Sequence, residues 1–242
     1  MDKQVFMDKL AKSLIKMNIE YKQEVLDKLW QYMDLLLKEN KKYNLTSITD
    51  PDNVLKKHFL DSASILNELE FESDANIIDI GTGAGFPGMV MKIFMKENKF
   101  TLLDSTLKKI TFIQILSARL GIYENLEVIH DRAEDLARID NHRESYSHVI
   151  ARAVAPMKIL LEYTVPFAKK GGIINCLKGP NYNQEIKEAK NAIDKLGIKV
   201  KDITELKIPG LKAQRYLIKI KKVDSTLNKY PRRAGIPKKR PL

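Results

Sequence analysis

The chain has 242 residues, 44% hydrophobic and 30% charged, which is typical of a globular protein with one α/β domain and a smaller part. Its net charge of +11 favours a polyanionic partner, although a solvated basic surface would give the same charge. The single cysteine excludes a disulfide framework and a paired-cysteine metal site, and the lack of any long apolar run excludes a membrane span. The first residues do not resemble a secretory signal, so we expect a cytoplasmic protein that holds no metal.

Residues 1–73 are predicted to form an N-terminal helical cap. Apolar residues recur at helical spacing in two segments, and Asp50-Pro51 is typical of the start of a third helix. The second helix is predicted to end near Asn40, because residues 40–43 interrupt its pattern. No repeat or low-complexity tract follows, so we expect the cap to pack against the next domain.

Residues 74–228 alternate between strand and helix patterns, which predicts a mostly parallel sheet covered by helices on both faces. The predicted strands are 76–80, 100–104, 126–130, 147–151, 171–177, 199–207 and 213–222. The predicted helices are 87–97, 106–120, 156–168 and 182–196. Only the short stretch 208–211 separates the last two strands, which requires antiparallel pairing. The prediction is a doubly wound fold of the methyltransferase type, with an antiparallel C-terminal hairpin.

A basic segment, residues 229–242, closes the chain. It carries six lysines and arginines and no acid: Lys229, Arg232, Arg233, Lys238, Lys239 and Arg240. Interleaved proline and glycine predict an extended tail that lies along a phosphate backbone, and a disordered solubilising tail is the alternative.

The most informative motif is the glycine-dense turn after the first strand, Gly81-Thr82-Gly83-Ala84-Gly85-Phe86-Pro87-Gly88. Glycine permits positive φ and close approach of a ligand, which indicates a nucleotide-type cofactor cradle. The literal GxGxxG of residues 83–88, with Asp104 about 20 residues later, is compatible with NAD. A sharp turn that binds no ligand is a further alternative.

A different spacing of the same turn favours another cofactor. Asp79 precedes Gly81, Gly83 and Gly85 at alternate positions. This order resembles the first motif of methyltransferases that use S-adenosylmethionine, in which the acid that ends the second strand holds the ribose hydroxyls. Asp104 occupies that position, and the antiparallel end of the predicted sheet also favours S-adenosylmethionine over NAD.

Further segments resemble one family when they are taken together with the glycine turn. They are 44–48 (NLTSI), 58–62 (HFLDS), 132–135 (RAED), 151–155 (ARAVA) and 230–237 (YPRRAGIP). Their order is similar to that of the bacterial small-subunit ribosomal RNA guanine-N7 methyltransferases, also called glucose-inhibited division protein B. The resemblance extends from about residue 40 to the C-terminus.

The resemblance implies which residues contact the cofactor. Besides the glycine turn they are Phe86, Ala133, Glu134 and Arg152, and Glu134 would accept a hydrogen bond from the adenine amine. Asp131 and Asp135 are close in sequence, which leaves an off-by-one assignment open, and a solvated turn is the alternative for residues 132–135.

The chemistry is predicted partly by elimination. Enzymes that methylate the amino group of adenine or cytosine resemble one another in an Asp/Asn-Pro-Pro-aromatic stretch at the fourth strand. This chain has 151–156 (ARAVAP) there instead. Carbon-5 methylation generally needs a thiolate, and Cys176 lies in a predicted buried strand, where thiols are poor nucleophiles. Guanine N7 already has a free lone pair, so its methylation needs positioning of the reactants and no general base.

We therefore predict no catalytic acid or base, and candidates for substrate positioning only. They are Asn44, His58, Arg152 and Lys178, and Arg152 has a possible second role as donor to guanine O6. The predicted function is methyl transfer from S-adenosylmethionine to guanine N7 in an unpaired loop of 16S ribosomal RNA, free or in the small subunit. The alternatives are a protein or small-molecule acceptor, an NAD oxidoreductase and a module that only binds RNA. A monomer is expected.

Overall fold

The computed structural model describes residues 1–69, 72 and 74–242. The boundary expected at residue 73 between cap and domain lies outside the described residues. The α-helices are α1 Lys3–Lys16, α2 Gln23–Tyr43, α3 Pro51–Val54, α4 Asp61–Ala63, α5 Gly88–Phe94, α6 Leu107–Leu120, α7 Ala133–Leu136, α8 Met157–Thr164, α9 Tyr182–Glu188, α10 Lys190–Lys195 and α11 Ile236–Lys239. None of the helices in these ranges is long and apolar enough to cross a membrane.

The strands of the described residues form one seven-stranded sheet in the order β3-β2-β1-β4-β5-β7-β6. The strands are β1 Asn76–Ile80, β2 Lys99–Asp104, β3 Leu126–His130, β4 Tyr146–Arg152, β5 Ala168–Lys178, β6 Ile198–Leu206 and β7 Arg215–Lys222. Strands β1 to β5 pair in parallel, whereas β7 pairs antiparallel with both β5 and β6. The predicted doubly wound fold with an antiparallel hairpin is confirmed. The connection between β6 and β7 is longer than predicted and spans residues 207–214.

Helices cover both faces of this sheet. One apolar layer joins α1 and α2 of the cap to α5 and α6, and Phe6, Tyr32 and Phe112 are buried within it. The opposite layer joins α8 and α10 to the other face. The cap is therefore packed onto the domain, so its residues contribute directly to the edge of the sheet where the parallel strands end.

Some predicted helix ends differ from the structure. Helix α2 continues through residues 40–43, because Asn40 is buried and its side-chain oxygen accepts a hydrogen bond from the Thr46 N–H at 2.8 Å. The helix ends at Asn44, whose backbone is left-handed at φ 48°. The helix predicted over 87–97 is shorter, at Gly88–Phe94, and the one predicted over 182–196 is divided at Ala189.

Two irregular segments bear on the functional site. Between α3 and α4 the chain forms a π-helix, Leu55–Leu60, a rare conformation that is frequent at functional sites. The second segment is the C-terminal one, residues 229–242, which is predicted to be extended. That prediction is wrong for residues 236–239, which form α11. Tyr230 and Pro231 of the same segment are buried. The apolar and hydrogen-bonding groups of the segment contact the domain. The local pattern of proline and charge does not reveal these contacts.

Candidate functional site

The glycine turn begins where β1 ends, at the carboxyl edge of the sheet. The N–H groups of Gly81 and Thr82 both donate to the Leu103 carbonyl oxygen, at 2.8 and 2.9 Å, which fixes the turn against β2. Gly81 has φ +69°, and a Cβ atom there would lie 2.7 Å from Val154 Cγ2. Gly83 has φ +64°, yet its Cβ position has no atom within 4 Å. The turn therefore presents bare backbone to open space.

Asp79 lies behind this turn. It is fully buried, and its Oδ2 accepts a hydrogen bond from the Gly88 N–H at 2.8 Å. Burial raises the pKa of its carboxyl to about 6, although the Gly88 N–H opposes that shift. The side chain is not among the described residues that line a cavity next to the turn. The structure thus places Asp79 where it holds the start of α5, while its predicted contact with the cofactor stays a prediction.

Asp104 lies at the end of β2, in front of the turn. Its Oδ2 accepts from the Gly83 N–H at 2.9 Å, and its Oδ1 accepts from the Thr106 N–H at 2.9 Å. Lys109 Nζ is 3.5 Å from Oδ2. A carboxylate has about four lone-pair positions, so these contacts fix its orientation and leave acceptor capacity for ribose hydroxyls.

A cavity of about 340 Å³ lies between the turn and Asp104. Its other walls include Asp131, Ala133 and Glu134, whereas Asp135 is exposed and lies outside it. The volume is at the lower end of the range for small-molecule sites, roughly 300–1,000 Å³. Bare backbone at Gly81 and two carboxylates, those of Asp104 and Glu134, fit the hydroxyl and amine groups of the nucleoside part of S-adenosylmethionine. The predicted roles of the two acids stay predictions.

Phe86 is predicted to contact the cofactor, which stays a prediction, and the structure shows what its ring contacts within the protein. Its ring stacks between Tyr32, at 4.9 Å between centroids, and His58, at 4.7 Å. Gly85 lets this stack form, because a Cβ atom there would lie 2.6 Å from Tyr32 Oη. Phe86 therefore links the cap to the glycine turn and does not line the 340 Å³ cavity.

A second cavity, of about 520 Å³, lies on the other side of the end of β4. Ala153 and Val154 line both cavities, so this short segment is their common wall. Ala153 has φ +56°, a strained conformation of the kind that collects at functional sites. A methyl donor bound in the smaller cavity and a methyl acceptor bound in the larger one would meet beside this segment.

Arg152 lines the larger cavity and is absent from the lining of the smaller one. Its Nη1 donates to Asp61 Oδ2 at 2.6 Å and to the Lys57 carbonyl oxygen at 3.2 Å. Arg215 Nε lies 3.3 Å from the other oxygen of Asp61. Asp61 is only 2% exposed, so one buried carboxylate holds two guanidinium groups at the cavity wall. Arg152 thus lies at the wall of the larger cavity, while its predicted contact with the cofactor stays a prediction.

His58 lies in the π-helix and also lines the larger cavity. Its Nε2 is 2.8 Å from Thr46 Oγ1. Burial, together with the charge of Arg152, lowers the pKa of the imidazole to about 3. The ring is therefore neutral at physiological pH and is a weak base, because so low a pKa disfavours its protonated form; this agrees with a structural or positioning role.

The remaining positioning candidates differ in their surroundings. Lys178 lines the larger cavity, and its Nζ donates to the Ala155 carbonyl oxygen and to Glu185 Oε2, both at 2.7 Å. Asn44 is exposed at the end of α2 and is outside the lining of both cavities. Lys178 thus forms part of the wall of the larger cavity, and the positioning roles of Lys178 and Asn44 stay predictions.

Sequence reasoning missed the roles of Asp61 and Val154. Asp61 lies within the recognised segment 58–62, three residues after His58, but the pattern gives no sign that it contacts two arginines from distant strands. Val154 similarly follows Arg152 in a recognised segment, and only the fold brings it against Gly81. The only signal in the sequence was the spacing within each segment. That spacing does not show which distant residues Asp61 and Val154 contact.

Two predicted exclusions bear on the chemistry. Cys176 is fully buried, and burial raises the pKa of its thiol to about 12, so it is not a thiolate nucleophile. Within residues 1–69, 72 and 74–242, no cluster of three or more His, Cys, Asp or Glu side chains could hold a metal ion.

Comparison of the sequence with known proteins identifies one family. The family model described as GidB, rRNA small subunit methyltransferase G, matches residues 25–218. A Ribosomal RNA small subunit methyltransferase G of Desulforamulus reducens is 45% identical over 212 residues, which cover 88% of each chain. Another, of Caldanaerobacter subterraneus, is 40% identical over 240 residues, 99% of this chain and 100% of its own length.

Solved structures match the fold. A SAM dependent methyltransferase from Aquifex aeolicus aligns with a TM-score of 0.53 at 20% identity and covers 73% of this chain and 96% of its own. M. jannaschii TYW2 in complex with AdoMet aligns with a TM-score of 0.50 at 14% identity, over 68% of this chain and 74% of its own. At such identities the likeness shows the shared fold alone.

Proposed function

Because the chain belongs to the family of the rRNA small subunit methyltransferase G, we propose that it transfers a methyl group from S-adenosylmethionine to N7 of a guanine in 16S ribosomal RNA. The observation that supports this most directly is the pair of cavities that share Ala153 and Val154. One has the groups that suit a nucleoside cofactor, and the other is bordered by cationic side chains that suit a nucleotide of RNA.

The cofactor cavity supplies binding groups and no reactive ones. Of the residues that line it, Gly81 would lie against the cofactor, Asp104 would accept from its ribose, and Glu134 would accept from its adenine amine. Gly83 is outside this lining and contributes by donating its N–H to Asp104. When bound, S-adenosylmethionine supplies an electrophilic methyl group on a sulfonium.

The acceptor cavity has the features expected for a reaction that needs no base. The lowered pKa of His58, about 3, makes its imidazole a weak base, and Lys178 and Asp61 are held in ion pairs, so none of them is placed to remove a proton. Guanine N7 loses no proton when it is methylated, and in-line placement of two reactants alone supplies several kcal/mol. The chain's contribution is therefore orientation.

The charge around the acceptor cavity fits RNA. Lys57, Arg152 and Arg215 line it, and the formal charge of the whole chain is +11. We propose that Arg152 donates to guanine O6, the acceptor that stays available while N7 reacts. A splayed base from an unpaired loop suits this site, because the major groove of A-form RNA is deep and narrow. Such a substrate also places the protein in the cytoplasm, where we propose that it acts as a monomer.

The test is transfer of labelled methyl from S-adenosylmethionine to ribosomal RNA extracted from a strain that lacks this protein, followed by nucleoside analysis. Label in 7-methylguanosine of the 16S RNA is expected. Label in another nucleoside would overturn the argument for N7. If neither free RNA nor intact small subunits accept label, the acceptor is not ribosomal RNA, and a protein or small molecule takes its place.

A further inference from the structure

The C-terminal segment, residues 229–242, is anchored to the domain by a buried ion pair. The Arg232 side chain donates from Nε and Nη2 to the two oxygens of Glu162, at 2.9 and 2.6 Å, and its backbone N–H donates to Oε1 at 2.8 Å. Glu162 is fully buried. Arg143 also donates to the Tyr230 carbonyl oxygen at 3.0 Å. A buried carboxylate needs such compensation, so this part of the segment is fixed in place.

Beyond the anchor, the segment turns toward the cofactor cavity. Gly235 has φ +82°, and its N–H donates to Glu134 Oε1 at 3.0 Å. Helix α11 follows at once, and Gly235 and Lys238 line the 340 Å³ cavity together with Asp104 and Glu134. The last residue, Leu242, packs against the apolar layer formed by α8 and α10. The segment therefore closes one side of the cavity.

We propose that the C-terminal segment forms a wall of the cofactor site and orients Glu134 toward the adenine of S-adenosylmethionine. This proposal rests on the proposed function, because it assumes that the 340 Å³ cavity holds that cofactor. The Gly235 N–H occupies one lone pair of Glu134 and fixes its rotamer, and the remaining lone pairs can accept from the adenine amine.

The burial of Glu134 supports this assignment. Glu134 is only 6% exposed, although it lies in the short helix α7 and its neighbours Arg132 and Asp135 are exposed. A hydrogen bond to an adenine amine is stronger where water is excluded and the local dielectric is low. Without the segment, Glu134 would keep its place in sequence but lose its fixed orientation and its cover.

Two neighbouring lysines provide a matched pair for the test. Lys238 and Lys239 are both exposed, both lie in α11 and carry the same charge, but Lys238 lines the cavity and Lys239 does not. If the segment only attracted RNA, replacement of Lys238 and replacement of Lys239 would have the same effect on cofactor affinity. If the segment is a wall of the cofactor site, Lys238→Ala alone weakens cofactor binding, because the lysine stem covers apolar surface.

The experiment is calorimetric titration of the purified protein with S-adenosylhomocysteine. We expect removal of residues 234–242, which keeps the Arg232–Glu162 pair, to weaken binding about tenfold or more, the effect of losing one hydrogen bond to a charged group. Lys238→Ala should weaken binding about threefold, which corresponds to the packing of part of one side chain, and Lys239→Ala should leave it unchanged. Hydrogen exchange of the Gly235 amide should slow when S-adenosylhomocysteine binds.

Equal affinity in the shortened and full-length proteins would overturn the proposal and leave the segment as an RNA contact only. Equal effects of the two lysine substitutions would overturn it as well. The point variants and the exchange of the Gly235 amide keep the test informative if the shortened protein does not fold. Absence of S-adenosylhomocysteine binding by the full-length protein would instead refute the assignment of the cofactor site.

Discussion

The two cavities of this protein are built from different parts of the chain. The cofactor cavity depends on backbone: the turn of Gly81 and Gly83 is fixed by N–H groups that donate to Leu103 and Asp104, and these contacts lie within about 25 residues of sequence. The acceptor cavity depends on side chains from distant segments, since Asp61, Arg152 and Arg215 meet only in the folded molecule. A local motif can therefore reveal the first cavity, but not the second.

The comparison predicts that the two cavities can be disabled separately. Substitutions at the Asp61 cluster should impair methyl transfer to RNA and leave cofactor affinity intact. Substitutions at Asp104 should weaken cofactor binding and leave the KM for ribosomal RNA nearly unchanged.

The largest effect is expected for Asp61→Ala. Loss of the carboxylate leaves Arg152 and Arg215 without the group that holds them at the cavity wall. We expect kcat/KM for methyl transfer to ribosomal RNA to fall by about a thousandfold, equal to about 4 kcal/mol of transition-state stabilisation. Single-turnover and steady-state assays with labelled S-adenosylmethionine measure this change.

Asp61→Asn is the matched control, because it keeps an acceptor oxygen of similar shape and removes the charge. Its activity should lie between that of the wild type and that of Asp61→Ala. Calorimetry with S-adenosylhomocysteine should give the same affinity for all three proteins. A parallel loss of cofactor affinity in Asp61→Ala would show that the two cavities are not separable.

The next effect concerns the buried carboxylate behind the glycine turn. Burial raises the folded-state pKa of Asp79 from 3.8 to about 6. The folded protein thus keeps a proton that the unfolded chain releases, so the contribution of Asp79 to stability is greatest below pH 4 and is lost as the pH rises through 6. A shift of about 2 pKa units corresponds to about 3 kcal/mol.

Asp79→Asn should remove this pH dependence, since the amide oxygen still accepts from Gly88 and carries no charge. Urea unfolding from pH 4 to pH 7.5 checks it: relative to the wild type, the variant should gain about 3 kcal/mol across that range. Asp79→Ala, which lacks the acceptor, should be less stable than Asp79→Asn at every pH. A constant difference between wild type and Asp79→Asn would mean that Asp79 titrates normally.

A smaller effect is expected for Asp104→Ala. We expect the affinity for S-adenosylhomocysteine to fall by about 1–3 kcal/mol, the usual cost of losing hydrogen bonds to a charged group. The KM for ribosomal RNA should stay within about twofold of the wild-type value, since Asp104 is outside the acceptor cavity. Asp104→Asn, which keeps one acceptor oxygen, should bind with intermediate affinity. Unchanged affinity in Asp104→Ala would exclude the ribose contact.

The smallest effect is expected for the pH dependence attributable to His58. Its pKa is lowered to about 3, so the imidazole stays neutral from pH 5.5 to 8.5. The plots of log kcat against pH for wild type and His58→Gln should therefore be parallel over that range. A limb near pH 6.5 that disappears in His58→Gln would identify His58 as a proton carrier and contradict the structure.

Much of the fold and part of the site followed from patterns within short stretches of sequence. The alternation from Ala75 onward predicted the sheet, and the short stretch between its last two strands predicted their antiparallel pairing. The resemblance supplied Asp104, the last residue of β2, and Glu134, which comes shortly after β3, as candidates, and both line the 340 Å³ cavity. The resemblance predicts a cofactor contact for Phe86, but it does not include the stacking of its ring between Tyr32 and His58. That stack crosses from the cap to the domain, so no local pattern encodes it.

The sequence by itself determined the fold class, the glycine turn and the acid that faces it, because each depends on contacts between residues that are near in the chain or on regular alternation of apolar residues. The tertiary structure alone decided how Asp61 joins Arg152 and Arg215, and how the C-terminal segment reaches Glu134. The physical reason is that a buried charge is stable only beside a partner, and that partner can lie anywhere in the chain. The sequence pattern of the C-terminal segment predicts an extended basic tail. In the structure, Arg232 of this segment donates to Glu162, which lies 70 residues earlier in the chain.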